Sequence, residues 1–288
     1  MTPAVIIAGL AVFLTAALWH GIVTRRYTVR SDKITGRIRI TLVSDLHSRA
    51  FGKNQRYIMA KIKRTEPDII LLGGDIYDFL ASRPPKSAEQ FLDAAARVAP
   101  VYYVTGNHDM VLLRRQPWLK QSIAARGITV LDNKYAELSM NGSTIIIGGV
   151  DDPGANRKGD TPEYQQKLED SWRANIGSYF DKLEEDRTYK ILLSHRPEKT
   201  DIYARLPFDL ILSGHAHGGQ WRVPLILNGF YAPHQGFFPK YAGGLYEYAG
   251  KVHIVSRGAC VHLLPPLILP RIFNPPEIVA IDLKPQNP

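Results

Sequence analysis

Asp45 and His47 stand two residues apart, directly after the apolar, β-branched run IRITLVS at residues 38–44. Side chains on a strand alternate with a period of two, so this carboxylate and imidazole leave the strand end on one side. Both donor types bind borderline divalent ions. A single pair of this kind is usually a cap or a surface polar group. Here the pattern recurs. Asp75 follows DIILLGG at residues 68–74, and Asn107, His108 and Asp109 follow VYYVT at residues 101–105. His195 follows residues 190–193, and His215 and His217 follow residues 209–212. Five of the nine histidines therefore sit after an expected strand; His20, His234, His253 and His262 do not, and are assigned no role. Mixed nitrogen and oxygen donors suit Mn, Fe or Zn rather than Ca. A bound ion of this kind lowers the pKa of its water to ~7, which supplies a nucleophile for hydrolysis.

The elements that must position these residues alternate between strand and helix. Residues 54–66 carry Ile58, Met59 and Ile62 at helical spacing and end at Pro67; residues 87–98 give a second helix. Strand-helix-strand alternation predicts an α/β fold with a largely parallel sheet, whose ligands gather at the carboxyl ends of the strands. Asn141-Gly142 predicts a hairpin between residues 136–140 and 144–150. Residues 162–186 predict one long amphipathic helix with Tyr164, Leu168, Trp172 and Ile176 on one face. Residues 244–248, 252–256 and 277–283 predict antiparallel strands. Residues 261–273 are apolar but broken by three prolines; they suit a loop packed on the core and an apolar rim near a membrane equally.

Asp45-x-His47, Gly74-Asp75, Gly106-Asn107-His108-Asp109, Ser194-His195 and Gly214-His215-x-His217 resemble the five blocks of the calcineurin-like metallophosphoesterase family, in order and in rough spacing. Gly218-Gly219-Gln220, the aromatic segment after it and Ser256-Arg257-Gly258 resemble the family's small bacterial membrane-associated branch, which includes phosphodiesterases. The resemblance implies a four-layer αββα sandwich holding two divalent ions, Mn being favoured. It implies that Asp45, His47 and His217 bind the first ion, that Asn107, His195 and His215 bind the second, and that Asp75 bridges both. His108 then faces the leaving oxygen as proton donor, with Asp109 as its orienting partner. Two ions ~3.5–4 Å apart clamp an in-line displacement at phosphorus, and a proton donor adds ~10²–10⁴-fold. Arg196, beside a ligand, suits a substrate phosphate and equally a surface salt bridge.

The remaining sequence bounds the setting. The chain has 288 residues, 45% hydrophobic and 22% charged, without low-complexity tracts, as expected for one large folded domain. Residues 2–23 contain no charged side chain other than His20. As a helix they would span about 33 Å, enough for a ~30 Å hydrocarbon layer. No basic residue precedes the run, which favours an uncleaved anchor over a signal peptide. Arg25, Arg26, Arg30, Lys33, Arg37 and Arg39 follow it, so the positive-inside rule places the domain in the cytoplasm, on the inner membrane. These residues suit anionic headgroups or a solvated linker. The expected organisation is thus an anchor over residues 1–24, a basic linker over 25–37 and a metallophosphoesterase domain over 38–288. A chain starting near Arg37 should then be soluble and keep activity on small water-soluble esters, because the expected core begins at Ile38. The net charge of +9 allows nucleic acid, but no reading motif accompanies it, and membrane lipids and a phosphate-bearing substrate are the expected partners. Cys260 is the sole cysteine, so no intrachain disulfide forms, and no obligate protein partner is evident. The function expected is hydrolysis of a phosphodiester or pyrophosphate bond in a lipid or envelope precursor, with soluble nucleotides or phosphoproteins as the alternative substrates. A non-catalytic membrane-tethered scaffold is the alternative of another class.

Overall fold

The computed structural model describes residues 3–79, 86–154, 161–260 and 270–286. Its helices are α1 (Pro3–Ala17), α2 (Arg56–Lys63), α3 (Lys86–Ala95), α4 (Asn107–Arg115), α5 (Leu119–Ala124), α6 (Pro162–Asn175) and α7 (Thr200–Tyr203). Its strands are β1 (Val23–Ser31), β2 (Ile38–Val43), β3 (Ile69–Gly73), β4 (Val101–Val104), β5 (Thr129–Val130), β6 (Lys134–Met140), β7 (Ser143–Gly149), β8 (Tyr189–Leu193), β9 (Leu210–Ser213), β10 (Tyr231–Ala232), β11 (Gly236–Phe237), β12 (Gly244–Tyr248), β13 (Lys251–Val255) and β14 (Glu277–Pro285). They form one sheet ordered β1-β14-β2-β3-β4-β5, a second ordered β12-β13-β9-β8-β7-β6, and the small β10–β11 hairpin.

Period-two alternation explains the layering. In β3, Ile69 and Leu71 face the second sheet, while Ile70 and Leu72 face α2 and α3. In β8 and β9, Ile191, Leu193, Leu210 and Leu212 face the first sheet, while Leu192 and Ile211 pack beside Trp172 of α6 and Phe208. Apolar residues on both faces of a strand require cover on both, and the result is helix, sheet, sheet, helix. Strands β2, β3 and β4 run parallel, as do β7, β8 and β9, so each trio delivers its following loop to one edge.

Several expectations change. The helix expected over residues 162–186 ends at Asn175; Phe180 turns into the core and Tyr164 is exposed. Strands β12 and β13 are antiparallel, but β13 joins β9 in parallel, and β14 enters the other sheet, antiparallel to β2 and parallel to β1. The expected membrane-spanning helix is not formed. Helix α1 has 15 residues, a rise of about 22 Å against the ~30 Å needed. Among the described residues, no helix is long and apolar enough to cross a membrane. The physical reason is that the end of the apolar run belongs to the domain: Ile22 is in the core and Val23 starts β1.

Residues 25–37, expected as a basic linker, are largely strand β1, paired with β14 over nine residues. Val29 and Ile34 are buried between the sheets. Arg25 lies 3.6 Å from Glu277, Arg39 pairs with Glu66 and Asp282, and Lys33 pairs with Asp209. A chain beginning at Arg37 would therefore lose an edge strand. Losing Ile22, Val29 and Ile34 removes about 1.5–3 kcal/mol apiece, so a drop in Tm of about 10 °C or more, or aggregation, is expected. A chain beginning at Leu18 keeps β1 and should melt within about 3 °C of the full chain, because Ala17 is the one buried residue of α1. Thermal melts of the two truncations check both outcomes.

Candidate metal centre

The loops after the strands are bent back sharply, and the candidate ligand residues make the bends. Asp45, His47, Asp75, His215 and His217 all have φ between 46° and 66°, the left-handed region that costs a side-chain-bearing residue energy. Asp45 and His47 thus converge through left-handed turns and not, as expected, by strand alternation. The amides of Asp45 and His47 donate to the carbonyls of Gly74 and Asp75 (3.0 and 2.9 Å), which locks the first loop to the second. Close approach needs glycine: a Cβ on Gly106 would lie 2.1 Å from Asp75 Oδ1, and one on Gly214 would lie 2.5 Å from Asp45 Oδ2.

Three groups of donors result, one of them, His47, Asp78 and His108, sharing His47 with the first of the two described next. One atom each of Asp45, His47 and His217 lie within 4.8 Å of one another, as do those of Asp75, His195 and His215. Asp75 joins the sets, with Oδ2 at 3.3 Å from His195 Nε2 and 3.7 Å from His47 Nε2. Asn107 is bracketed by residues that touch Asp75: Gly106 lies against it, and the His108 amide donates to Asp75 Oδ1 at 2.7 Å. His47 Nε2, His195 Nε2 and Asn107 Oδ1 are buried without hydrogen-bond partners. Such orphans are costly unless something else satisfies them, and divalent ions suit this donor set. His195 Nδ1 lies 2.7 Å from the Gly73 carbonyl; donating there leaves the Nε2 lone pair facing Asp75.

Burial pushes the Asp45 carboxyl up to about 6. Burial opposes charge on Asp75 too, yet His195, His108 and His47 hold it far below the usual carboxylate range. Burial pulls His47 down to about 3 and keeps His215 and His217 well below the ordinary imidazole value. His195 goes the other way: against its burial, Asp75 and Asp45 raise it to about 10. Three neutral imidazoles beside an ionised carboxylate are ready donors, whereas His195 releases a proton when it ligates.

His108 lies beside the first set, its ring 4.3 Å from His47 and 4.6 Å from Phe79. Burial works against its charge, but Asp75 and Asp78 outweigh it and raise its pKa. The orienting partner is not Asp109, as expected, but Asp78, whose Oδ1 lies 3.4 Å from His108 Nδ1. Asp109 is a fully buried clamp. Its Oδ2 accepts from the amides of Asp75 (2.6 Å) and Gly106 (2.9 Å), and its Oδ1 from that of Tyr77 (2.9 Å). Asp109→Ala leaves three buried donors unmet at about 1–3 kcal/mol each, so a stability loss of at least about 3 kcal/mol is expected. Urea denaturation measures it, and an unchanged midpoint with lost activity would restore the orienting role.

Arg196 is a buried salt bridge. Its Nε and Nη2 reach Asp152 at 2.5 and 2.9 Å, and Nη2 also donates to the Gly154 carbonyl, so it braces the 152–154 loop and offers no open fork to a phosphate. Three neighbours of the site were not foreseen. Asp78 had a signal in its position three residues after Asp75. Arg271, fully buried with Nη2 at 3.3 Å from His217 Nδ1, is one of two charged or ionisable residues in an apolar run. His234, with Nδ1 at 2.9 Å from His215 Nε2, sits on a hairpin tip that nothing in the sequence links to the metal ligands. Of residues 261–273, the stretch 261–269 lies outside the described residues.

Comparison with known proteins agrees with this geometry. The model of the family described as Calcineurin-like phosphoesterase matches residues 38–219. Phosphodiesterase YaeI of Escherichia coli (strain K12) is 27% identical over 243 residues, 83% of this chain and 81% of that protein. The uncharacterized metallophosphoesterase YkuE of Bacillus subtilis (strain 168) is 30% identical over 281 residues, 93% of this chain and 87% of that protein. An uncharacterized metallophosphoesterase of Aquifex aeolicus (strain VF5) is 28% identical over 275 residues, 90% of each chain. The matched span contains all seven candidate ligands, so the chain belongs to the calcineurin-like phosphoesterase family and is a metal-dependent phosphoesterase, a hydrolase.

Proposed function

We propose that this phosphoesterase cleaves a phosphodiester or pyrophosphate bond in a membrane-seated lipid or envelope precursor, such as a nucleotide-linked lipid. The observation that carries the reading is an exposed apolar helix tied to the first ligand set. Val5, Ile6, Ile7, Leu10, Val12 and Phe13 of α1 are all more than half exposed. Phe13 packs on Phe273 at 5.3 Å, the Phe273 amide donates to the Ala17 carbonyl, and Arg271, two residues earlier, adjoins His217. Leu225 and Ile226 extend the apolar rim from a loop bonded to Ile272 through Arg222. A helix of this length is suited to lying in one leaflet, with exposed Arg26, Arg30 and Arg37 at anionic headgroups, and those charges favour the cytoplasmic face.

Asp45, His47 and His217 would hold one divalent ion and Asn107, His195 and His215 a second, with Asp75 shared and Mn favoured; the ions would supply Lewis-acid activation of water and charge neutralisation at phosphorus. The chain's own part is orientation and proton supply. Asp75 holds the two sets together, and Asp78 with Asp75 keeps His108 protonated. Water oxygen forms the new bond to phosphorus and loses its proton to solvent, the bond to the leaving oxygen breaks, that oxygen takes the His108 proton, and solvent reprotonates His108.

The test compares a nucleoside-diphosphate-linked lipid in anionic vesicles with the same headgroup lacking acyl chains, using the full chain and the chain beginning at Leu18. The vesicle substrate should be favoured at least ~10-fold by the full chain, and that preference should fall on truncation because α1 contributes local concentration. Equal rates on both substrates would favour a soluble nucleotide instead.

A further inference from the structure

We propose that the cleft beside the second ligand set binds the polar substituent that stays on phosphorus when the ester bond breaks, a neutral group of nucleoside or sugar size. The proposal rests on the phosphodiester reading above. The cleft measures about 280 Å³ and lies between the tip of the β10–β11 hairpin and the first two turns of α6. That is just below the range for small-molecule sites, ~300–1,000 Å³, and suits one ring system more than an acyl chain.

One wall is continuous with the metal centre: His234 contacts the ligand His215 at 2.9 Å, and Arg196 follows the ligand His195 in the chain. The facing wall is a helical stripe, Pro162, Gln165, Gln166 and Glu169, at the spacing that places residues on one side of a helix. The charges lining the cleft are already matched. Arg196 is paired with Asp152, and Glu169 with Lys199 at 2.5 Å and Arg173 at 3.0 Å. What remains for a ligand is the Gln165 carboxamide, the oxygen and second N–H of Gln166, whose Nε2 already donates to Asp170 at 2.8 Å, the Nε2 of His234 and the side of Leu168. That lining complements hydroxyl and amide edges without adding charge. His234 holds its position with φ at 60°, a left-handed conformation of the kind retained at ligand sites.

Direction follows from His108. It stands beside His47 of the first set, so the leaving oxygen departs on that flank, the flank that also carries α1. The cleft opens off the other set and receives the substituent that does not leave.

Two diesters with the same leaving group test this: thymidine 5′-(p-nitrophenyl) phosphate and bis(p-nitrophenyl) phosphate, assayed with Mn²⁺ on the full chain. Wild type, the Gln165→Ala/Gln166→Ala double variant and Gln166→Trp are compared at matched metal content and melting temperature. The ratio of kcat/KM for the thymidine ester over the bis ester should fall at least ~10-fold in the double variant, mainly through KM, and further in Gln166→Trp, which fills the cleft. A ratio within twofold of wild type in both variants overturns the proposal while leaving the phosphodiester reading intact. A wild-type chain inactive on both diesters overturns that reading and the proposal with it.

Discussion

Asp75→Asn should abolish turnover, at least ~10³-fold, more than the loss of one preorganised electrostatic donor costs. Asp75 is the residue shared by both ligand sets, 3.3 Å from His195 and 3.7 Å from His47. Its oxygens also order the chain: Oδ1 accepts the His108 amide, so His108, the proposed general acid, is positioned from the same carboxylate. Asparagine keeps the shape but removes the negative charge that His195, His108 and His47 surround. Removing it leaves a cluster of imidazoles without its counter-charge, which weakens cation binding at both sets. Metal content and activity should therefore fall together. The fold should survive, because Asp75 lies at the sheet edge and the strands pack through other residues.

His108→Ala should behave differently. Rate falls ~10²–10⁴-fold while the metal content stays at the wild-type value. His108 is outside the sets that contain Asp45 and Asp75 and lies with His47 and Asp78 in a third group, where Asp75 and Asp78 raise its pKa. The loss should shrink for esters with very acidic leaving groups, which depart without a proton. Asp78→Asn should lose less than His108→Ala and follow the same leaving-group trend, because Asp78 acts through the imidazole. Rates across a series of aryl esters of rising leaving-group pKa measure the trend. Loss of metal from His108→Ala would make it a ligand and contradict the assignment.

The clustering of the candidate ligand residues was legible because donor types recur after strands, and parallel strands in each trio bring those loops to one edge. The local geometry was not, since left-handed turns at Asp45 and His47 come from loop-to-loop hydrogen bonds with Gly74 and Asp75. Asp109 looked like a partner of its neighbour His108. Only the fold reveals that its carboxylate gathers amides from three loop positions. The N-terminal error has a similar origin. Arg25 and its neighbours look like a basic linker until β14, from the far end of the chain, pairs with them and brings Glu277 alongside. Long-range pairing of this kind leaves no local trace, whereas the continuous apolar run of β3 is local and marks a strand buried on both faces.

The central claim is a two-ion centre joined by one carboxylate, and the most direct measurement is elemental analysis of purified wild-type and Asp75→Asn protein, each reloaded from the metal-free form with Mn²⁺. The wild type should hold two equivalents per chain, with activity rising until both are bound, and Asp75→Asn should hold fewer than one. Two full equivalents on Asp75→Asn, or a wild-type activity that saturates at a single equivalent, would contradict it.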